Sequence, residues 1–374
     1  MIGVFIYVTS PQVDVVMDQL PELRSYKLFL EEHRNTTFFN FTDAEDILVD
    51  FESDLFTLNE FSTVVLLSLY VPIFLLGLIG NILIILSVTA EKARKSNLYF
   101  LVNLAFADLA VTVLCIPTSI GTIVYKLWVY GRFLCKFTAF IQGVAVAVSI
   151  FSMTAMSVDR YISLQHPAVS HRITSCSQSF AIIIFMWVVA GCFMGPLLYI
   201  RDIDVLDDVP FMRPLPFCIE NWPQDRDRKA YAVFLMFVVF IIPGFTICVC
   251  YGNVGKALCY AERHQRVDSD GSTQRLVSRQ RAARMVIILI CVFMICWLPY
   301  NIISALSDIS ENRAVADALP YVLWFGHAHS AFNPMLYWSL NRHFRQSIHR
   351  LVNVVKISGC SGASTQTISL PHFV

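Results

Sequence analysis

Residues 157–167 read SVDRYISLQHP, and they close a stretch that carries almost no charge from Phe137 onward. Asp159 and Arg160 stand side by side at the end of that stretch, where a charged pair marks the border between an apolar segment and water. A membrane helix needs roughly 20 mostly apolar residues, because a rise of about 1.5 Å per residue must cover about 30 Å of hydrocarbon. The stretch at 133–163 meets this requirement, so we interpret it as a membrane helix.

The composition indicates that lipid is the solvent for much of the surface. Of the 374 residues, 56% are hydrophobic and 15% are charged, and the mean hydropathy is +0.59. Soluble globular domains are about 45–50% apolar and about 25% charged. The formal net charge is zero, so bulk charge favours no class of partner. The cysteines show no CxxC or Cys/His spacing that would indicate a metal site, and most of them lie inside apolar runs.

Seven stretches in all have the length and apolar character of a membrane span. Because lipid offers the backbone no hydrogen-bond partners, each is expected to be a helix, kinked at the prolines that it contains. The stretches lie at about 63–89, 98–125, 133–163, 179–200, 229–258, 283–306 and 317–338. Their odd number and the lack of an inverted repeat argue against a transporter built from two equivalent halves.

The distribution of charge predicts the orientation, because cytoplasmic loops carry an excess of Lys and Arg. The loops after the first, third and fifth stretches and the tail after the seventh are basic, whereas the opposite side is acidic. Two Asn-x-Thr sequons, at Asn35 and Asn40, also fall on the acidic side. We therefore expect residues 1–61 to form a glycosylated extracellular tail, with no separate signal peptide, followed by the seven-helix domain at 62–340.

The chain after the seventh stretch divides into two parts. In the first part, Phe344 and Ile348 recur at helical spacing among basic residues, which predicts an amphipathic helix on the inner leaflet at 341–353. The second part, 354–374, is small and polar and is expected to be disordered.

Short motifs occur in all seven stretches. They are Gly80-Asn81, LAFAD ending at Asp108, Asp159-Arg160-Tyr161, Trp187, Pro243 with Tyr251, CWLPY at Cys296–Tyr300 and NPMLY at Asn333–Tyr337. With these motifs in this order, the chain resembles the rhodopsin-like G protein-coupled receptors over about residues 60–355. The resemblance implies an all-α membrane protein, a seven-transmembrane helix bundle with a short amphipathic eighth helix, located at the plasma membrane. It also implies a receptor and not an enzyme.

The resemblance implies a mechanism as well. A receptor of this family binds an extracellular ligand and activates a heterotrimeric G protein through outward movement of helix six. The activation switch would comprise Asp159, Arg160, Tyr161, Ile150, Pro243, Phe293, Tyr251, Pro334 and Tyr337. Serine and threonine residues in the tail favour a receptor kinase and arrestin as further partners. No feature indicates a nucleic acid.

Asp108 is an acid midway along an apolar stretch, and a buried charge in a membrane usually has a function. The resemblance implies that Asp108 is a metal ligand for an allosteric sodium ion, with Ser149 and Asn333 beside it, and no other cofactor is implied. A polar contact between helices is the alternative. His329 stands where the family commonly has asparagine, so it would displace the sodium ion or pair with Asp108. A histidine there also raises the hypothesis that signalling depends on pH.

The resemblance also places a disulfide and a ligand site on the extracellular side. The disulfide joins Cys135 to Cys218, in the second extracellular loop. The ligand site comprises, by family position, Gln142, Trp297, Tyr300, Asn301, Leu323 and His327.

The ligand class follows from three observations. Gln142 stands where amine receptors carry an aspartate, and the seventh stretch contains no lysine for a retinal Schiff base. The acidic outer face suits a basic peptide, because opposite charges steer association. We therefore favour a neuropeptide, with a lipid or other small molecule, or an orphan-type receptor with high basal activity, as alternatives. A transporter or channel is a remote alternative, since apolar residues surround the polar cluster at Asp108.

A final feature concerns the resting state. Many relatives restrain the arginine that corresponds to Arg160 with an acid at the inner end of helix six, where this chain has Arg279. Like charges repel, so the sequence predicts a weakly restrained inactive state with appreciable basal activity.

Overall fold

The structure is a computed structural model that describes residues 56–89, 96–165, 176–206, 215–264, 270–307, 313–342 and 344–350. The sequons at Asn35 and Asn40 and the tail from 351 onward lie outside these residues. In the described residues, seven long helices form a bundle. They are α1 (Phe61–Thr89), α2 (Ser96–Ala110, Val111–Cys115 and Ile116–Tyr125), α3 (Gly131–Gln165), α4 (Cys176–Ile200), α5 (Asp225–Leu235, Met236–Ile241 and Ile242–His264), α6 (Asp270–Ser307) and α7 (Arg313–Leu340).

All seven helices cover the stretches predicted from the sequence. The largest difference is in α6, which begins at Asp270 and not at about 283, because the helix continues past the apolar part into the basic loop. By length and composition, α1 to α6 are apolar enough to cross a membrane. Helix α7 completes the bundle but carries several polar residues, among them His327, His329 and Asn333.

Two helices contain a turn of π-helix shortly before a proline. These turns are Val111–Cys115, before Pro117, and Met236–Ile241, before Pro243. Proline lacks an N–H group, and its ring clashes with the carbonyl four residues earlier, which lies inside the π turn in both cases. The wider turn displaces that carbonyl, so the helix continues instead of ending.

Helix α3 occupies the centre of the bundle. In its apolar window 67% of the residues are buried, compared with 28% in α1 and 22% in α4. The outer helices instead expose large apolar side chains such as Phe185 on α4 and Phe245 on α5. A continuous apolar exterior of this kind fits lipid as the surrounding solvent. The fold is therefore that of a multi-pass membrane protein.

A chain of side-chain hydrogen bonds ties α2, α3 and α4 together. Trp187 Nε1 donates to Asn103 Oδ1 at 2.7 Å, and Asn103 Nδ2 donates to Ser152 Oγ at 2.8 Å. Asn103 and Ser152 are buried, and buried amides are stable only when their hydrogen bonds are made. These hydrogen bonds therefore fix the positions of the three helices relative to one another along the bundle axis.

Helices α1 and α7 approach each other closely at Gly80. A Cβ atom at this position would lie 2.5 Å from Cγ of Pro334, so only glycine fits. One residue further, Asn81 Nδ2 donates to the carbonyl of Gly77 at 2.8 Å and to that of Ser330 at 2.9 Å. The Gly80-Asn81 motif thus positions the part of α7 that carries the polar residues.

A β-hairpin covers the outer end of the bundle, although the sequence indicated only a loop there. Strand β1 (Arg201–Leu206) pairs antiparallel with β2 (Leu215–Glu220). A disulfide joins Cys218 of β2 to Cys135 of α3, as predicted. Asp202 of β1 pairs with Arg132 at 2.7 Å and with Lys136 at 3.6 Å, which fixes the hairpin to α3 a second time.

Both ends of the described chain are attached to the bundle. A short 3₁₀ turn, Thr57–Asn59, precedes α1, and Thr57 Oγ1 donates to the carbonyl of Ile123 at 2.8 Å, near the outer end of α2. After α7, residues 344–350 are helical, and Asn341 Oδ1 accepts the Phe344 N–H at 3.2 Å. Phe344 and Ile348 are buried and Arg350 is exposed, so this segment has the amphipathic character that the sequence indicated.

Candidate functional site

The half of the bundle that lies beneath the hairpin contains an aromatic cluster at its centre. Trp297 of α6 contacts Tyr300 and His327, with ring centroids 5.9 Å and 6.4 Å apart. Asn301 is anchored by its own helix, because its Nδ2 donates to the Trp297 carbonyl at 2.6 Å. Leu323 packs against the same apolar core as Trp297. Five of the six ligand-site residues expected from the sequence therefore lie close together on α6 and α7.

The sixth residue, Gln142, is buried on the central helix α3. The residues Val144 and Ala145, two and three positions further, belong to the core cluster that contains Trp297 and Tyr300. Gln142 thus lies on the helix around which α6 and α7 pack, so the structure is compatible with one site formed by all six residues.

Several polar atoms in this half of the bundle are buried and without a hydrogen-bond partner in the described structure. They are Trp297 Nε1, Asn301 Oδ1, Trp324 Nε1, His327 Nε2 and Arg201 Nη2. The other ring nitrogen of His327, Nδ1, lies 3.4 Å from the hydroxyl of Tyr70 on α1. Leaving a buried donor or acceptor unpaired costs about 1–3 kcal/mol. A polar ligand that reaches these groups would recover that free energy.

A buried ion pair lies where the hairpin meets the bundle. Arg201 and Glu220 are paired across the two strands, with Nε 3.4 Å from Oε1, and both side chains are almost fully buried. Trp222 Nε1 donates to the other carboxylate oxygen of Glu220 at 2.7 Å. Burial raises the pKa of Glu220 above its ordinary value, while Arg201 and Trp222 act in the opposite direction.

The same pair connects the hairpin to two further helices. The ring of Trp222, the hydrogen-bond donor to Glu220, packs on that of Tyr231 of α5 at 5.3 Å, and Arg201 lies within electrostatic range of Tyr300 of α6. Sequence reasoning did not identify Arg201 or Glu220 as candidates. The only available signal was an Arg and a Glu in a loop that is otherwise acidic.

The polar centre of the bundle lies beyond Trp297, further from the hairpin. Asn333 Nδ2 of α7 donates to Asp108 Oδ2 of α2 at 2.7 Å. His329 Nε2 lies 3.2 Å from the other carboxylate oxygen, Oδ1, and its Nδ1 lies 2.7 Å from the Gly326 carbonyl. The hydroxyl of Ser149 on α3 is buried and without a partner in the described structure. The structure thus brings Asp108, His329 and Asn333 into direct contact.

His329 also connects this polar centre to the aromatic cluster. Its ring lies 5.6 Å from that of Trp297 and 5.4 Å from that of Phe293. Phe293 and Ile150 belong to one buried core cluster, and Pro243 is buried on α5. A movement of Trp297 would therefore press directly on His329, because protein interiors are closely packed.

The end of the bundle opposite the hairpin brings together three of the residues expected to form the activation switch. Arg160 lies near the phenol groups of Tyr251 on α5 and Tyr337 on α7, within range for its charge to act on them. Its Nε is buried and has no partner in the described structure. Asp159 is its neighbour on α3, and the charges of the two residues interact. Tyr161 follows them and is half-buried.

The comparison with known protein families agrees with this architecture. The family described as 7 transmembrane receptor (rhodopsin family) matches residues 80–337, which is more than half of the chain. The chain belongs to the rhodopsin family of seven-transmembrane receptors. Members of this family are receptors and not enzymes.

Several characterised receptors are similar over most of their length. The QRFP-like peptide receptor of Branchiostoma floridae is 28% identical over 289 residues, which is 76% of this chain and 76% of that receptor. The galanin receptor type 1 of Homo sapiens is 30% identical over 287 residues, covering 74% and 78% of the two chains. The substance-P receptor of Mus musculus is 29% identical over 302 residues, covering 79% and 72%.

Proposed function

We propose that this receptor binds an extracellular neuropeptide and activates a heterotrimeric G protein. The observation that carries the proposal is the group of unpaired polar atoms on Trp297, Asn301 and His327, beneath the hairpin. A peptide carries a donor and an acceptor on nearly every residue, so it can pair with several such groups at once. The similarity to receptors named for QRFP-like peptides, galanin and substance P supports the same ligand class.

The preference for a basic peptide stays a prediction, because most acids of the outer face lie outside the described residues. The acidic outer face was expected to attract a basic ligand, but Asp202 is already paired with Arg132 and Lys136. Glu220 is likewise paired with Arg201. The proposal of a peptide ligand rests on the unpaired hydrogen-bonding groups and does not require electrostatic steering.

Signalling would proceed through α6. A ligand in contact with Trp297 would displace its indole, and the proline at 299 lets the helix bend at this level. Outward movement of the cytoplasmic end of α6 would open a site for the G protein beside Arg160, Tyr251 and Tyr337. Receptor kinases and arrestin would then act on the tail, and the receptor would lie in the plasma membrane with its N-terminus outside.

A screen for G protein activation tests the proposal. Cells that express the full chain are exposed to a neuropeptide library, and each active peptide is then titrated on Gln142→Ala and on Gln178→Ala. Gln142 is buried on α3, whereas Gln178 is exposed near the start of α4 and serves as the matched control. We expect Gln142→Ala to raise the half-maximal concentration about tenfold or more, equivalent to about 1.4 kcal/mol. An ion current without any G protein response would contradict the receptor mechanism.

A further inference from the structure

Rhodopsin-family receptors are expected to hold a sodium ion at the acid of helix two, which is Asp108 in this chain. Asp108 is fully buried and contacts α7 through both carboxylate oxygens. Oδ2 accepts the Asn333 Nδ2–H, and Oδ1 faces His329 Nε2 at 3.2 Å. A hard cation prefers several oxygen ligands, and here nitrogen atoms occupy the positions next to both oxygens.

The orientation of the imidazole is fixed from its other side. A carbonyl oxygen can only accept a hydrogen bond, so Nδ1 of His329 carries the hydrogen that points to the Gly326 carbonyl at 2.7 Å. This bond directs Nε2 towards Asp108 and Ser330, whose hydroxyl lies 3.5 Å from Nε2. The ring is buried between Phe293 and Trp297, so it has little room to turn away.

His329 Nε2 and Asp108 Oδ1 are in close contact but do not form an aligned hydrogen bond. The two atoms are 3.2 Å apart, but Oδ1 has no partner that satisfies hydrogen-bond angles in the described structure. The ring therefore occupies the space in front of that carboxylate oxygen, where an ion would have to lie. Within the described residues, His329 is the only basic side chain within 4.0 Å of Asp108.

We propose that the imidazole of His329 takes the place of the sodium ion in this receptor, so that its stability and resting state do not depend on sodium. The residues present do not fit the ion: one carboxylate oxygen is used by Asn333 and the other is covered by the ring. Besides the covered Asp108 Oδ1, the Ser149 hydroxyl is a buried oxygen without a hydrogen-bond partner in the described structure. A single hydroxyl and a covered carboxylate are a poor ligand set for a hard cation.

The same geometry explains what the histidine contributes. It links Asp108 on α2 to Trp297 on α6 through direct contacts, whereas a small ion would touch only the carboxylate and its neighbours. The protein itself thus supplies a permanent connection between the polar centre and the aromatic cluster. The inference concerns a site separate from the ligand-binding atoms and does not depend on the ligand being a peptide.

The test is the thermal unfolding of the purified full-length receptor in sodium chloride and in choline chloride at equal ionic strength. A ligand that binds only the folded state raises Tm with its concentration. We expect the Tm of the wild type to be the same in both salts. In His329→Asn an amide oxygen replaces the ring and frees Asp108 Oδ1, so Tm should rise by about 5 °C between no sodium and saturating sodium.

Two further variants separate the site from general salt effects. His329→Gln provides a second amide and should also gain sodium dependence. The double variant Asp108→Asn with His329→Asn lacks the carboxylate, so its Tm should not depend on sodium. A saturable rise of the wild-type Tm in sodium would overturn the proposal, even if none of the variants could be purified. The proposal would also be overturned if His329→Asn and His329→Gln both fold and the Tm of neither depends on sodium. Neither outcome would bear on the proposed function, because the measurement involves no peptide and no G protein.

Discussion

Gly326 of α7 lies directly against the indole of Trp297 of α6. A Cβ atom at position 326 would come 3.1 Å from both Cε3 and Cζ3 of that ring, closer than ordinary van der Waals contact. The indole is fully buried and touches Phe293, Tyr300, His327 and His329 on its other sides. Its position therefore depends on the absence of a side chain at 326.

Gly326→Ala should destabilise the receptor through this contact. The added methyl group must displace a ring that is packed on all sides, and overpacking of this kind costs about 1–3 kcal/mol. Thermal unfolding of the purified receptor measures the effect as a lower Tm. Gly244→Ala on α5 is the matched control, because nothing lies within 4 Å of the Cβ position there. A helical Gly→Ala change without a clash is expected to be neutral or stabilising. Equal Tm values for the two variants would contradict the steric argument.

Glu220→Gln should be strongly destabilising. It leaves the charge of Arg201 buried without its partner, and breaking a buried pair in this way costs about 3–5 kcal/mol. Lys229→Gln, which breaks an ion pair with Asp225 on the surface of α5, should change Tm little, because both partners are exposed. Arg201→Met combined with Glu220→Met removes both charges and should recover part of the loss. If Glu220→Gln unfolds at the wild-type temperature, the pair does not support the hairpin.

Cys135→Ser should lower stability through the loss of the disulfide with Cys218. The bond closes a loop between residues 83 positions apart, and removing a disulfide typically costs about 2–5 kcal/mol. Surface expression and thermal unfolding measure the effect, and a reducing agent should reproduce it in the wild type. Cys192→Ser is the control, since Cys192 is exposed and unpaired. A similar loss in both variants would mean that the serine itself, and not the missing bond, is responsible.

Much of the bundle could be predicted, because lipid forces apolar stretches of sufficient length to be helical. The seven helices and the Cys135–Cys218 disulfide agree with the sequence-based expectations. Hydropathy did not predict where α6 begins. The helix starts at Asp270, because a helix can continue beyond its apolar part into polar residues. The prolines were identified as local disturbances, but the pattern of residues does not reveal that α2 and α5 respond with a π turn.

The outer site was predictable only in part. Trp297, Tyr300 and His327 lie at helical positions whose spacing is fixed, so their proximity follows once the helices are aligned. Arg201 and Glu220 meet through the register of a hairpin, and no helical periodicity encodes that register. The sequence indicated that His329 departs from the family pattern, but only the distance in the structure shows that it contacts Asp108.

Arg279→Glu should lower ligand-independent signalling. Arg160 lies near Tyr251 and Tyr337, and its Nε has no partner in the described structure, so an acid introduced nearby has a group to pair with. Position 279 lies on α6, and its side chain is outside the described part of the chain. By family position, a glutamate there would face Arg160 and hold the cytoplasmic end of α6 against α3.

The measurement is basal G protein activation at equal surface expression. Arg279→Gln removes the charge without adding an acid, so it should fall between the wild type and Arg279→Glu. Unchanged basal signalling in Arg279→Glu would show that the resting state is not limited by a missing acid on α6.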